Sequence, residues 1–96
     1  MKVIVVATRS EDFASDDFAP LLPAEAKKAL QLVAEDVVRE IYSRKDGKGA
    51  ILVLEASSEL EAMEYLADLP LAKAGMLKFD IYPVGPYRGI VLAADA

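Results

Sequence analysis

Residues 39–56 read REIYSRKDGKGAILVLEA, two strand-like runs on either side of a turn signal. Asp46-Gly47 is that signal, because both central positions of a type I′ turn need positive φ, which Asp tolerates and Gly adopts freely. A two-residue turn there pairs Lys45 with Lys48. Counting outward sets Arg44 opposite Gly49, Tyr42 opposite Ile51 and Glu40 opposite Val53. Directly opposed residues share a face of a sheet. One face therefore carries Glu40, Tyr42, Arg44, Ile51, Val53 and Glu55. The other carries Ile41, Ser43, Ala50, Leu52 and Leu54, apolar enough to lie under helices.

Working outward from this hairpin, residues 2–8 (KVIVVAT) form a short, nearly continuous apolar run, the pattern of a strand covered on both sides. Residues 9–19 (RSEDFASDDFA) read as a loop, either a plain connection or a lid carrying Phe13 and Phe18. From Pro23 the period becomes 3.6: Ala26, Ala29, Leu30, Val33 and Val37 share one side, giving an amphipathic helix with Pro23 and Glu25 in its first turn. A second helix spans 57–70, with Ser58 and Glu61 as a capping box, Leu60, Met63, Leu66 and Ala67 as its buried stripe, and Pro70 at its end. Residues 76–84 alternate, with Leu77, Phe79 and Ile81 under the helices and Lys78, Asp80 and Tyr82 on the opposite face. The segment 85–96 opens with turn residues and continues as an apolar tail, which predicts packing on a partner subunit.

The order β-α-β-β-α-β predicts one ferredoxin-like α+β domain over residues 1–96. Its antiparallel sheet has strand order 4-1-3-2, with both helices on one face. This order puts the two most apolar strands, 2–8 and 49–56, at the centre.

Composition narrows the function. A chain of 96 residues buries roughly 60–65% of its unfolded surface, yet 54% of it is hydrophobic, which predicts a homodimer or a higher ring. The absence of cysteine and histidine excludes disulfides, thiolate nucleophiles, histidine relays and zinc sites built on those ligands. A net charge of −5 argues against nucleic-acid binding. No apolar run reaches a membrane span and no signal peptide precedes the first strand, which predicts a cytoplasmic protein. No cofactor or metal is expected.

The open face of the sheet supplies the candidate site. Two copies packed sheet to sheet enclose a cavity with a few convergent polar groups, the usual character of a small-molecule site. In the hairpin register Glu55 is the diagonal neighbour of Glu40, about 7–8 Å away by Cα. Two carboxylates that close, shielded from water, push at least one pKa up, which suits a general acid or base. Glu55 and Glu40 are thus the catalytic candidates. Arg44 and Lys78 are candidates to bind an anionic substrate group, and Tyr42 and Tyr82 to hydrogen-bond an enolate. Glu55 has three roles open to it: a solvent-facing or helix-capping carboxylate, an interface ion pair, or a pocket group. For the edge strands that carry the others, a plain solvated or interfacial edge is the alternative.

Three stretches carry a resemblance: AEDVVREIYSRKDGKGAILVLEASS (34–58), YLADLPL (65–71) and FDIYPVGPY (79–87). Across Pro23–Tyr87 the chain resembles the muconolactone isomerase-like branch of the dimeric α/β-barrel proteins, most distinctively at Leu69-Pro70-Leu71 and Arg44. The resemblance implies a ferredoxin-like protomer pairing sheet to sheet, often in larger rings. It also implies a cofactor-free proton shift within a small unsaturated lactone, with Arg44 as carboxylate binder. The expected function is accordingly a small cofactor-independent isomerase or lactone-processing enzyme. A non-catalytic oligomeric module that binds a small molecule is the alternative.

Overall fold

The computed structural model describes residues 1–95. The chain runs β1 (Lys2–Arg9), α1 (Ser15–Phe18), a 3-10 turn (Ala19–Leu21), α2 (Leu22–Ala34), β2 (Val38–Ser43), β3 (Gly49–Glu55), α3 (Glu59–Ala67), α4 (Pro70–Lys73), β4 (Leu77–Val84) and α5 (Arg88–Asp95). The four strands form one antiparallel sheet in the order β2-β3-β1-β4, the ferredoxin-like arrangement expected from the sequence. Val3 and Val5 of β1 and Leu52 and Leu54 of β3 point to the helix side. There they pack with Leu32 of α2 and Leu66 of α3 in one buried cluster. Each such side chain contributes about 1.5–3 kcal/mol of transfer free energy on leaving water.

The β2–β3 register is as counted: Glu40 faces Val53, Tyr42 faces Ile51, and the Arg44 amide donates to Gly49 O at 2.9 Å. The turn differs from the expected type I′. Gly47 has φ +74°, but Asp46 stays on the ordinary negative side. Gly47 N–H donates to Arg44 O at 3.1 Å, so residues 45–48 form a four-residue loop. The Asp46 side chain holds it by accepting from the Lys48 amide at 2.9 Å. Two-residue and four-residue loops give the same pairing outward from Arg44 and Gly49, which is why the register survives the change. Further along, the register shifts by one residue between Val38 and Glu40, a bulge at Arg39.

Helix α2 buries a stripe displaced from the expected one. Leu32 is buried, and Glu25, Ala26 and Ala29 line the sheet-facing side, whereas Leu30 is 69% exposed and Val33 lies at the surface. The helix ends in a Schellman motif: Val37 N–H reaches Leu32 O at 3.0 Å, Asp36 N–H reaches Val33 O at 3.1 Å, and Asp36 takes φ +61°. In α3 the buried residues are Ala62 and Leu66, while Leu60 is 64% exposed and Met63 also faces out. Ser58 caps α3 by accepting from the Glu61 amide at 3.0 Å. Glu61 reaches back to the Ser57 amide and hydroxyl rather than to Ser58, so the capping box is displaced by one residue. Pro70 does not end α3 directly; it opens α4 at the first helical position.

The segment expected as a loop carries α1 and a small core of its own. Phe18 is buried with Leu71 and Met76. Beyond β4, α5 leaves the body of the molecule. The radius of gyration is 15.3 Å, against about 12–13 Å for a compact chain of this length. Tyr87, Ile90 and Leu92 are all exposed.

Candidate functional site

The open face is a set of cross-strand rows. Arg44, Gly49, Thr8 and Lys78 form one, Tyr42, Ile51, Val6 and Asp80 the next, and Glu40, Val53, Ile4 and Tyr82 the third. Beyond these, Glu55, Lys2 and Val84 begin a fourth. The residues singled out from the sequence therefore ring an apolar centre of Ile4, Val6, Ile51 and Val53. Glu40 and Tyr82, like Arg44 and Lys78, stand on opposite edges, three strand spacings or roughly 14 Å apart.

Glu40, Tyr42, Arg44 and Glu55 each have a local partner. The Tyr42 hydroxyl donates to Glu40 Oε1 at 2.6 Å, and that bond, with the carboxylate's charge, pushes the phenol's pKa up. Glu55 accepts from the Met1 ammonium at 2.5 Å. Its pKa is lowered by that hydrogen bond, outweighing the desolvation that raises it. At Glu55 the neighbour is an ammonium rather than a second carboxylate, so its shift is downward, opposite to the one a pair of carboxylates gives. Arg44 is the most enclosed of the set, its side chain 19% exposed. Its Nη1 donates to Thr8 Oγ1 at 2.8 Å across β3, and its Nη2 to Asp46 Oδ2 at 2.5 Å. Gly49, with no side chain, lies between Arg44 and Thr8 in that row. Thr8 and Asp46, which the sequence reading placed in a strand and a turn but not at the site, complete this clamp.

The opposite face holds what sequence reasoning missed. Between α2 and the sheet lies a cavity of about 300 Å³, floored by Ala7, Gly49, Ala50 and Leu52, flanked by Ile41 and Phe79, and roofed by Ala26 and Ala29. Its origin is a difference in side-chain size along the sandwich. At one end Val3, Val5, Leu32, Leu54 and Leu66 fill the interlayer space. At the other, Ala7, Ala26, Ala29 and Ala50 occupy the facing positions and leave it open. The signal in the sequence was this run of small residues at inward-facing positions, together with a lone carboxylate in the apolar stripe of α2.

That carboxylate is Glu25. It sits in the first turn of α2 and lines the cavity. Its Oε1 accepts from the Leu71 amide at 3.0 Å. Leu71 follows Pro70 in the first turn of α4, where the amide has no acceptor within its own helix, so Glu25 caps α4 from across the core. Desolvation by burial pushes the Glu25 pKa up from 4.5, and the Leu71 bond offsets part of that rise. The Leu69-Pro70-Leu71 sequence, distinctive in the resemblance, supplies two walls of the cavity and this amide. Ser43 and Arg9 are the other polar residues lining it. Among the described residues no group of three or more acidic side chains is placed to hold a metal ion. No described helix is long and apolar enough to cross a membrane.

Muconolactone isomerase superposes on the chain with a TM-score of 0.73 at 18% identity, over 91% of each chain. The chain has the muconolactone isomerase fold. The 5-chloro-2-hydroxyhydroquinone dehydrochlorinase TftG of Burkholderia phenoliruptrix AC1100, solved with 2,5-dihydroxybenzoquinone, matches with a TM-score of 0.74 at 16% identity, over 93% of this chain and 98% of its own. A putative antibiotic biosynthesis monooxygenase of Deinococcus radiodurans matches with a TM-score of 0.51 at 18% identity, over 91% of this chain and 95% of its own. No protein-family model and no curated protein matches the sequence.

Proposed function

We propose that the protein is a cofactor-independent enzyme that moves a proton on a small organic acid or lactone. Glu25 is the carrying group, and the cavity between α2 and the sheet is the site. The observation that supports this most is a carboxyl group with a raised pKa, half-buried in the lining of a largely apolar cavity of about 300 Å³, at the small end of the range for ligand pockets. A carboxylate desolvated in this way is a stronger base than one in water and is tuned toward the pH at which it works. It removes a proton from carbon beside a carbonyl, the C–H electron pair moving into the enolate. The resulting carboxylic acid returns the proton to the far end of the conjugated system, so the product is an isomer and nothing is consumed. The fold shared with muconolactone isomerase and with a dehydrochlorinase of a hydroxylated aromatic fits substrates of this class.

The open face serves, in this proposal, as the contact with a second copy. Its apolar centre is framed by Glu40, Tyr42 and Arg44 on one edge and by Lys78 and Tyr82 on the other. The projecting α5 and the residues that lead into it, 85–87, lie on the partner, Ala96 falling outside the described residues. A catalytic role for Glu40 or Glu55 then belongs to a pocket formed between two copies.

The test is deuterium exchange into small lactones, enol acids and hydroxyquinones in D₂O, followed by NMR for the wild type and for Glu25→Gln, Glu40→Gln and Glu55→Gln. Exchange that falls by 10²–10⁴-fold in Glu25→Gln alone upholds the proposal. Exchange retained in Glu25→Gln and lost in Glu40→Gln or Glu55→Gln moves the chemistry to the open face.

A further inference from the structure

Arg9 stands at a boundary. It closes β1, its side chain on the helix side of the sheet with those of Val3, Val5 and Ala7, and it lines the inner cavity. It also lines a second, outer chamber of about 200 Å³, whose walls include Thr8, Ser10, Ser15, Phe18 and Lys48. The two chambers differ in chemistry. The inner one is mostly aliphatic. The outer one carries hydroxyls and the charges of Arg9, Lys48 and Glu11, two cations against one carboxylate, in a chain whose net charge is −5.

The backbone of Arg9 is fixed and its guanidinium is held by a ring. Its amide donates to Lys48 O at 2.7 Å, and it pairs with Leu77 of β4. The guanidinium carbon lies 4.8 Å from the centroid of Phe18, itself packed edge-on against Phe13 with centroids 6.2 Å apart. Stacking engages the π face and leaves the in-plane N–H donors available. Arg9 makes no salt bridge among the described residues. A half-buried, ring-held guanidinium with no salt bridge among the described residues, between an apolar chamber and a cationic one, has the chemistry of an anion site.

We infer that the site takes a two-part anion, whose apolar portion fills the inner cavity and whose carboxylate is held at Arg9 with Lys48 beyond it in the outer chamber. Arg9 thereby sets specificity and orientation, directing the apolar end of the ligand toward Glu25. This rests on the assignment of the inner cavity as the site.

The test measures binding of 3-phenylpropionate and of the neutral 3-phenylpropanamide by calorimetry, for the wild type, Arg9→Gln, Arg9→Lys, Lys48→Gln and Glu25→Gln. A charge-assisted hydrogen bond predicts at least a tenfold preference for the carboxylate in the wild type. That preference falls toward unity in Arg9→Gln, is partly kept in Arg9→Lys and drops less in Lys48→Gln. Amide binding retained in Arg9→Gln shows that the cavity is still folded. Glu25→Gln keeps the preference even where it loses proton exchange, which separates this inference from the proposed reaction. Equal binding of both probes to the wild type, no binding of either, or a preference that survives in Arg9→Gln overturns it.

Discussion

Gly49 is the residue whose replacement tests the most geometry at once. A Cβ at this position would lie 2.0 Å from Ala7 O and 2.9 Å from the carbonyl carbon, and the backbone φ is +153°. The obstacle is main chain of the central strand β1, which cannot swing aside as a flexible side chain would. Gly49→Ala therefore meets two costs. Holding a non-glycine residue in that conformation costs about 1–3 kcal/mol, and separating β3 from β1 enough to admit the methyl adds about 1–3 kcal/mol. A total near 4 kcal/mol is most of the stability of a small domain. Gly47 supplies the control, since it has φ +74° in the same hairpin but nothing within 4 Å of where a Cβ would stand. Gly47→Ala meets only the left-handed backbone cost, about 1–2 kcal/mol. Urea unfolding of the two variants should separate them by about 2 kcal/mol or more, and the melting temperature of Gly49→Ala should fall by roughly 16–32 °C. Equal destabilisation of the two variants would refute the claim that close approach of β3 to β1 is what requires glycine here.

Three other outcomes are expected. Asp36 holds φ +61° at the end of α2, so Asp36→Gly should raise stability by about 1 kcal/mol in denaturant unfolding. Ala29→Leu places a larger side chain in the roof of the cavity; thermal unfolding should show unchanged or higher stability, by about 0.5–2 kcal/mol, together with loss of ligand-induced stabilisation. The Glu25 pKa is raised above 4.5 in the folded state, so the native chain binds that proton more tightly than the unfolded one. Its contribution is therefore most favourable below about pH 4.5 and is lost as pH rises through the folded value. Glu25→Gln, measured against wild type from pH 4 to pH 8 by urea unfolding, should gain relative stability as pH rises over that window; a difference independent of pH would refute the assignment.

The fold was legible because its signals are local and redundant. The alternation in β2 and β4 and the Asp46-Gly47 dipeptide set strand faces and register independently, and the register held even though the loop has four residues rather than two. The helix faces were less legible for a physical reason. Leu30, Val33, Leu60 and Met63 are apolar but point outward in the single chain, so hydrophobic periodicity found apolar sides that are not the buried ones. Apolar residues at a helix surface look the same in sequence as apolar residues in a core. Segment 9–19 misleads for the opposite reason: its acidic composition hides Phe18, one buried ring around which a small cluster forms.

The cavity was illegible because it is made by what is missing. Charged and aromatic residues on the open face announce themselves, whereas Ala7, Ala26, Ala29, Gly49 and Ala50 matter only once the pairing of layers is known. Glu25 did stand out as a carboxylate near a helix start, but the helix dipole explained it without a cavity. The tertiary contact adds that its Oε1 meets the Leu71 amide across the core. A carboxylate used only as a cap could remain in water, where charge costs nothing. This one is desolvated enough to raise its pKa despite the bond that lowers it, a burden that the capping of a four-residue helix does not explain. Gln in its place can still accept from Leu71 and carries no charge to desolvate. A variant that keeps the cap, gains stability at neutral pH and loses proton exchange would show that the carboxylate is held at a cost to the fold for the sake of the chemistry.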